Sequence, residues 1–256
     1  FQADTARVNY LVRKGRSFQS ENYDSLLFYS QKALNLALKT ADLNSISAAV
    51  QLQGRYYMMK ENYKDATATF LLSLAIEEKL KNRARVADLH DELGTVYYYQ
   101  EIFAKALGYY TSALAEYEKS RDTMNMAKVY SHLGNLYSSR EFCEPRTTPQ
   151  KKDDFDRAIK LFEKTIRLCT AIHYKPLIIN SYVNIASVYN KLQEPDKALA
   201  YLKQATDYYR KNHKLNALAG SLHTLGITYF KAKQYSQSAR CFEESLKIAL
   251  ENKYTD

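Results

Sequence analysis

The sequence predicts an all-α chain, a solenoid of about six antiparallel helix pairs wound into a right-handed superhelix, and three observations predict it. Glycine and proline are scarce, 7 and 4 in 256 residues, which leaves little of the turn chemistry that many short strands require. Apolar residues make up 46% of the chain and charged residues 25%, a mixture that suits a buried core and excludes a disordered or collagen-like chain. Small and aromatic residues also recur in register at intervals of 40.

The register is explicit. Gly54, Gly94 and Gly134 stand 40 apart, Ala186 follows after 52, and Gly226 after 40 more. Three residues beyond each is a tyrosine: Tyr57, Tyr97, Tyr137, Tyr189 and Tyr229. A further column, Tyr23, Tyr63, Phe103, Phe155, Pro195 and Tyr235, shares the same single long interval. Leu26, Ala66, Ala106, Ala158, Ala198 and Ser238 form another, followed four residues later by Ser30, Phe70, Tyr110, Phe162, Leu202 and Phe242. Small columns let two helices of a pair approach closely, and the rings fill the space left between them and the next pair.

Leu-Gly-x-x-Tyr followed by Ala-x-x-x-Phe resembles the tetratricopeptide repeat, a helix pair that stacks on its neighbours. The resemblance extends over nearly the whole chain and implies one solenoid over residues 1–256. In the first pair, 1–40, Lys14 and Ser17 take the glycine and tyrosine positions, so this pair reads as a degenerate cap. The pairs 41–80 and 81–120 keep every column, and 121–172 keeps them around an insertion at 138–152. The pairs 173–212 and 213–256 complete the series. Repeats of this family run to about 34 residues and close with a proline. Here Glu78, Glu118, Thr170, Arg210 and Leu250 stand at that place, so the second helix of each pair is free to run another turn.

Two of the four prolines, Pro145 and Pro149, lie in the insertion, which is therefore expected to form an exposed loop. Asp153, Asp154 and Asp156 lack the glycine and glutamate of a calcium loop and read as capping a helix that begins near Asp154. The chain opens at Phe1 and its first methionine is Met58, which reads as a processed or excised piece. No apolar run reaches the roughly 18 residues of a membrane helix.

Catalytic and metal chemistry find no constellation. Phosphate-loop, nucleophile-elbow and zinc-helix patterns are missing, His90-Asp91-Glu92 point about 100° apart on a helix, and Cys143, Cys169 and Cys241 form no Cys-x-x-Cys. The expectation is a non-enzyme with no cofactor and no metal. The net charge of +9 is strewn singly rather than in a block with interleaved aromatics, so nucleic acid is not an expected partner of this piece.

What the family resemblance implies instead is a concave face lined by one stripe of each first helix. Helical spacing from the glycine column assigns to it Gln51 and Arg55, then Asp91, Thr95 and Tyr98, then Ser131, Asn135 and Ser138. Asn180, Asn184, Ser187 and Asn190 follow, and His223 and Phe230 close the series. Asparagines carry both a donor and an acceptor and suit the backbone of a bound peptide or protein segment. Asn135 and Asn184 also match asparagines of the carboxylate-clamping members, whereas Ser131, Gly220 and Thr224 stand where those members carry cations.

Phrases such as Tyr23-Asp24-Ser25-Leu26-Leu27-Phe28-Tyr29 resemble two groups. One comprises the extracytoplasmic sensor regions of Bacteroides-type histidine kinases and transcription regulators, and the other the cytoplasmic peptide-pheromone receptors of Gram-positive bacteria. The first is favoured, because the second usually carries an N-terminal helical effector domain that these residues do not include. Both imply a regulatory binding scaffold. An assembly or dimerisation module using Phe242 and Leu246 is the rival reading.

Overall fold

The computed structural model describes residues 2–18, 23–139 and 147–253, and these hold twelve α-helices and no strand. They fall into two compact units, Phe1–Asp122 and Thr123–Asp256.

The first unit contains α1 (Gln2–Ser17), α2 (Tyr23–Thr40), α3 (Leu43–Met59), α4 (Tyr63–Lys79), α5 (Arg83–Tyr99) and α6 (Phe103–Ser120). The second contains α7 (Thr123–Ser139), α8 (Thr148–Ala171), α9 (Lys175–Lys191), α10 (Pro195–Lys211), α11 (Leu215–Lys231) and α12 (Tyr235–Lys253). Within each unit every helix packs on the next in sequence. First helices α3, α5, α7, α9 and α11 are each 17 residues long. With α4 also 17 residues long, two such helices and their short connections account for the 40-residue interval.

Rings press on glycines, which explains the paired columns. A Cβ added at Gly54 would come within 2.6 Å of the Phe70 ring, and one at Gly94 within 2.5 Å of Tyr110. In the second unit the same holds for Gly134 against Phe162 at 2.6 Å and Gly226 against Phe242 at 2.7 Å. The rings therefore fill space inside their own pair rather than only the gap to the next one. Where Ala186 replaces the glycine, Leu202 replaces the ring and both are fully buried, so volume is exchanged rather than added.

Second helices are then locked to first helices in two ways. Hydroxyls of Ser73, Thr165 and Ser245 donate to the carbonyls of Ser47, Ala127 and Ala219 at 3.2, 3.2 and 2.8 Å. Where the hydroxyl is lost, at Ala113 and Ala205, a tyrosine four residues on takes over. Tyr117 donates to Asp88 Oδ1 at 2.7 Å and Tyr209 to Asn180 Oδ1 at 2.6 Å.

The scarcity of glycine does not mean that turn chemistry is missing. Ala41, Glu61, Lys81, Glu101 and Arg121 in the first unit, and His173, Gln193, His213 and Lys233 in the second, all take left-handed φ between 51 and 61°. In all of these turns but that at Ala41 the next residue donates back across it, as Asn62 does to the Tyr57 carbonyl at 2.9 Å and Gln234 to the Tyr229 carbonyl at 2.8 Å. Such Schellman-type closures usually employ glycine; here they are made with side chains that oppose the conformation.

The C-terminal end of the insertion is helical rather than looped. Residues 140–146 lie outside the described residues, but α7 runs to Ser139 and α8 starts at Thr148, ahead of Asp154. The Thr147 N–H donates to Gln150 Oε1 at 3.0 Å and Pro149 sits in the first turn, where its missing N–H costs nothing. Proline here starts a helix rather than opposing one. Asp153 pairs with Arg157 one turn on at 2.9 Å and caps nothing.

Candidate functional site

In the first unit the first-helix stripe is charged and largely paired. Gln51 of α3 is only 5% exposed and accepts from Arg16 Nη2 of α1 at 2.7 Å. Arg55, one turn further along α3, reaches across to α5, where its Nε donates to Glu92 Oε1 at 2.7 Å and its Nη2 lies 2.5 Å from the same oxygen. On α5 the Thr95 hydroxyl donates to the Asp91 carbonyl at 3.0 Å and accepts from Tyr110 at 3.2 Å. Tyr98 packs half-buried against Tyr99 and Phe103. Burial, and then the bond to Asp88, push the Tyr117 phenol well above its ordinary range, so it remains a donor.

In the second unit the stripe carries one exposed charge, Lys128, and is otherwise uncharged along α7 and α9. Asn135 on α7 and Asn184 and Ser187 on α9 are half-buried, and their side chains have no hydrogen-bond partner among the described residues. By repeat position Asn135 corresponds to Arg55 and Asn184 to Glu92, so the unbonded amides stand where the first unit has its cross-helix ion pair. Asn180 is exposed but already accepts from Tyr209, and the Ser138 hydroxyl donates to the Asn135 carbonyl at 2.9 Å. On α11, His223 is exposed beside the Phe242 ring, and Phe230 is 60% exposed with Tyr235 edge-on to it.

Three assigned residues do not reach the face. Gln51, Ser131 and Asn190 are 5, 6 and 6% exposed. Asn190 donates instead to Thr228 at 2.7 Å, binding α9 to α11. Gln51 and Asn190 are instead bonded to the neighbouring first helices α1 and α11.

Sequence reasoning missed a device in the second unit. Lys191 and Lys231, 40 residues apart, donate to the carbonyls of Ser138 and Asn190 at 2.6 and 2.7 Å. Each neutralises the C-terminal end of the preceding first helix, and a lysine in the last turn was the available signal. A buried network in the first unit was missed as well. Glu77, fully buried, accepts from Ser47 at 2.6 Å and from Arg85 at 3.4 Å, tying α3, α4 and α5 together.

His90 packs with its ring tilted against Tyr109, and burial holds its pKa below the usual imidazole value against the pull of Glu78 and Glu116. No group of three or more metal-binding side chains occurs among the described residues, and none of their helices is long and apolar enough to cross a membrane.

Residues 150–211 and 218–251 match tetratricopeptide-repeat family profiles. The chain is 30% identical over 73 residues to response regulator aspartate phosphatase E of Bacillus subtilis (strain 168), a match that takes in 28% of this chain and 19% of that protein. It superposes on the crystal structure of BtubC (BKLC) from P. vanneervenii with a TM-score of 0.70 at 14% identity, over 91% of each chain. The crystal structure of NprR in complex with its cognate peptide NprX is similar at a TM-score of 0.68 and 13% identity, over 98% of this chain and 67% of that one. Identities this low speak for the fold alone.

Proposed function

Because this chain is a tetratricopeptide-repeat protein, we propose that it is a non-catalytic regulatory scaffold that binds a peptide or an extended protein segment on the first-helix face of its second unit. The observation that carries this reading is the pair of unbonded, half-buried amides of Asn135 and Asn184 at the positions of an ion pair in the first unit. Each amide supplies donors and an acceptor, the complement of a peptide backbone, and half-burial keeps competing water away from them. Exposed Phe230 and Ile227 on α11 add an apolar end for an anchoring side chain. The matched relative is by its name a response regulator phosphatase and one structural neighbour is a peptide complex, which supports a regulatory, peptide-binding role. The reading covers both the sensor region of a larger regulator and a pheromone-receptor-like protein.

The test is a display selection for peptides that bind the purified chain, followed by titration calorimetry of the selected peptides. Asn135→Ala combined with Asn184→Ala is expected to weaken binding at least tenfold, about 1.4 kcal/mol, with the melting temperature unchanged. Full affinity in the double variant would take the site away from these residues.

A further inference from the structure

The first helix pair departs from the repeat pattern, and a cavity lies where it departs. In four of the other pairs a ring rests on a glycine and in the fifth Leu202 stands opposite Ala186, but the equivalent residues here are Lys14 and Ser30. Beside them the cavity, about 350 Å³, is walled by Gly15, Leu26, Leu52, Met58 and Met59. Phe18 closes one side, stacked on Tyr29 with ring centroids 5.4 Å apart. At the rim stand Arg16, Arg55 and Glu92, two positive charges against one negative.

The guanidiniums have donors to spare. Each carries five N–H donors. Arg55 directs Nε and Nη2 at Glu92, and Arg16 directs Nη2 at Gln51. The remaining N–H groups of both have no hydrogen-bond partner among the described residues. An apolar hollow with convergent, incompletely bonded cations at its mouth is complementary to an anion on a hydrocarbon body. At roughly 30 Å³ for each water-sized group, the space admits about a dozen non-hydrogen atoms.

We propose that this cavity binds a small amphiphilic carboxylic acid, with its hydrocarbon body among Leu26, Leu52, Met58 and Met59 and its carboxylate on Arg16 and Arg55. This site is independent of the peptide face of the second unit. The carboxylate answers the second positive charge at the rim, and the body fills space between the buried Leu26 and Leu52 and the half-buried Met58 and Met59.

The four methionines make the test direct, since Met58 and Met59 line the cavity while Met124 and Met126 belong to the second unit. With methyl-13C-labelled methionine, titration with octanoate is expected to shift the Met58 and Met59 methyl signals saturably and to leave the other two in place. Octanamide, of the same shape without the charge, is expected to bind at least tenfold more weakly. Arg16→Gln with Arg55→Gln should bring octanoate down to the octanamide level. Equal binding of octanoate and octanamide to the parent chain, movement of all four methyls together, or the absence of saturation would each overturn the assignment.

Discussion

The two units build the same helix pairs and spend one pair of positions differently. In the first unit the positions hold Arg55 and Glu92, which close on each other across α3 and α5; in the second they hold Asn135 and Asn184, which close on nothing. A partly exposed ion pair contributes at most about 1 kcal/mol, so the first arrangement adds little stability. Its larger consequence is to engage both side chains with each other, leaving only the spare N–H groups of Arg55 open. The second arrangement forgoes that small gain and keeps two amides ready for a ligand. Equivalent positions in a repeat protein can thus be either internal fasteners or external contacts, and the choice turns on whether the facing residues can satisfy each other.

The largest effect expected concerns what the units share. Gly54→Ala alone should cost about 2 kcal/mol by urea denaturation, because its methyl group must displace the Phe70 ring. Adding Phe70→Leu recreates the exchange already present at Ala186 and Leu202, and the double variant should lose at least 1 kcal/mol less than the sum of the single changes. Strict additivity would mean that ring and glycine are not coupled.

An exchange of chemistry between the units breaks the comparison directly. Asn135→Arg with Asn184→Glu should install the ion pair of the first unit and raise stability by up to about 1 kcal/mol, an increment that salt reduces. The same variant should lose the peptides selected on the parent chain. If it binds them undiminished, unbonded amides are not what distinguishes the second unit.

The smallest effect applies to both units alike. Lys81→Gly and His213→Gly relieve left-handed residues in equivalent turns. Removing a penalty of about 1–2 kcal/mol, against a glycine entropy cost of about 0.5–1 kcal/mol, should stabilise each variant by about 0.5–1 kcal/mol. Thermal melts showing a gain in one unit only would mark the turns as unequal.

Most of the fold was legible because a ring that must meet a small residue across a helix pair leaves both at a fixed spacing. The columns at Gly54 and Phe70 or at Gly134 and Phe162 record that contact in one dimension. Turns were less legible, since the left-handed positions are filled by Glu61, Lys81, His213 and other residues with no common type. The start of α8 was misplaced because Pro149 reads as a breaker until Thr147 and Gln150 are seen to cap the helix it begins.

For the candidate site, helical phase alone placed Asn135, Asn184, Ser187, His223 and Phe230 on accessible parts of the first helices. It could not separate them from Gln51, Ser131 and Asn190, which share their phase and are covered. What the sequence by itself determined was the interval, the pairing of helices and the fit of ring to glycine, because each of these is repeated and each is set by local spacing. Only the tertiary structure decided which polar residues are already satisfied, since Arg55 meets Glu92 and Asn190 meets Thr228 between neighbouring helices of the stack. Whether two such side chains reach each other depends on approach distances that no single helix encodes.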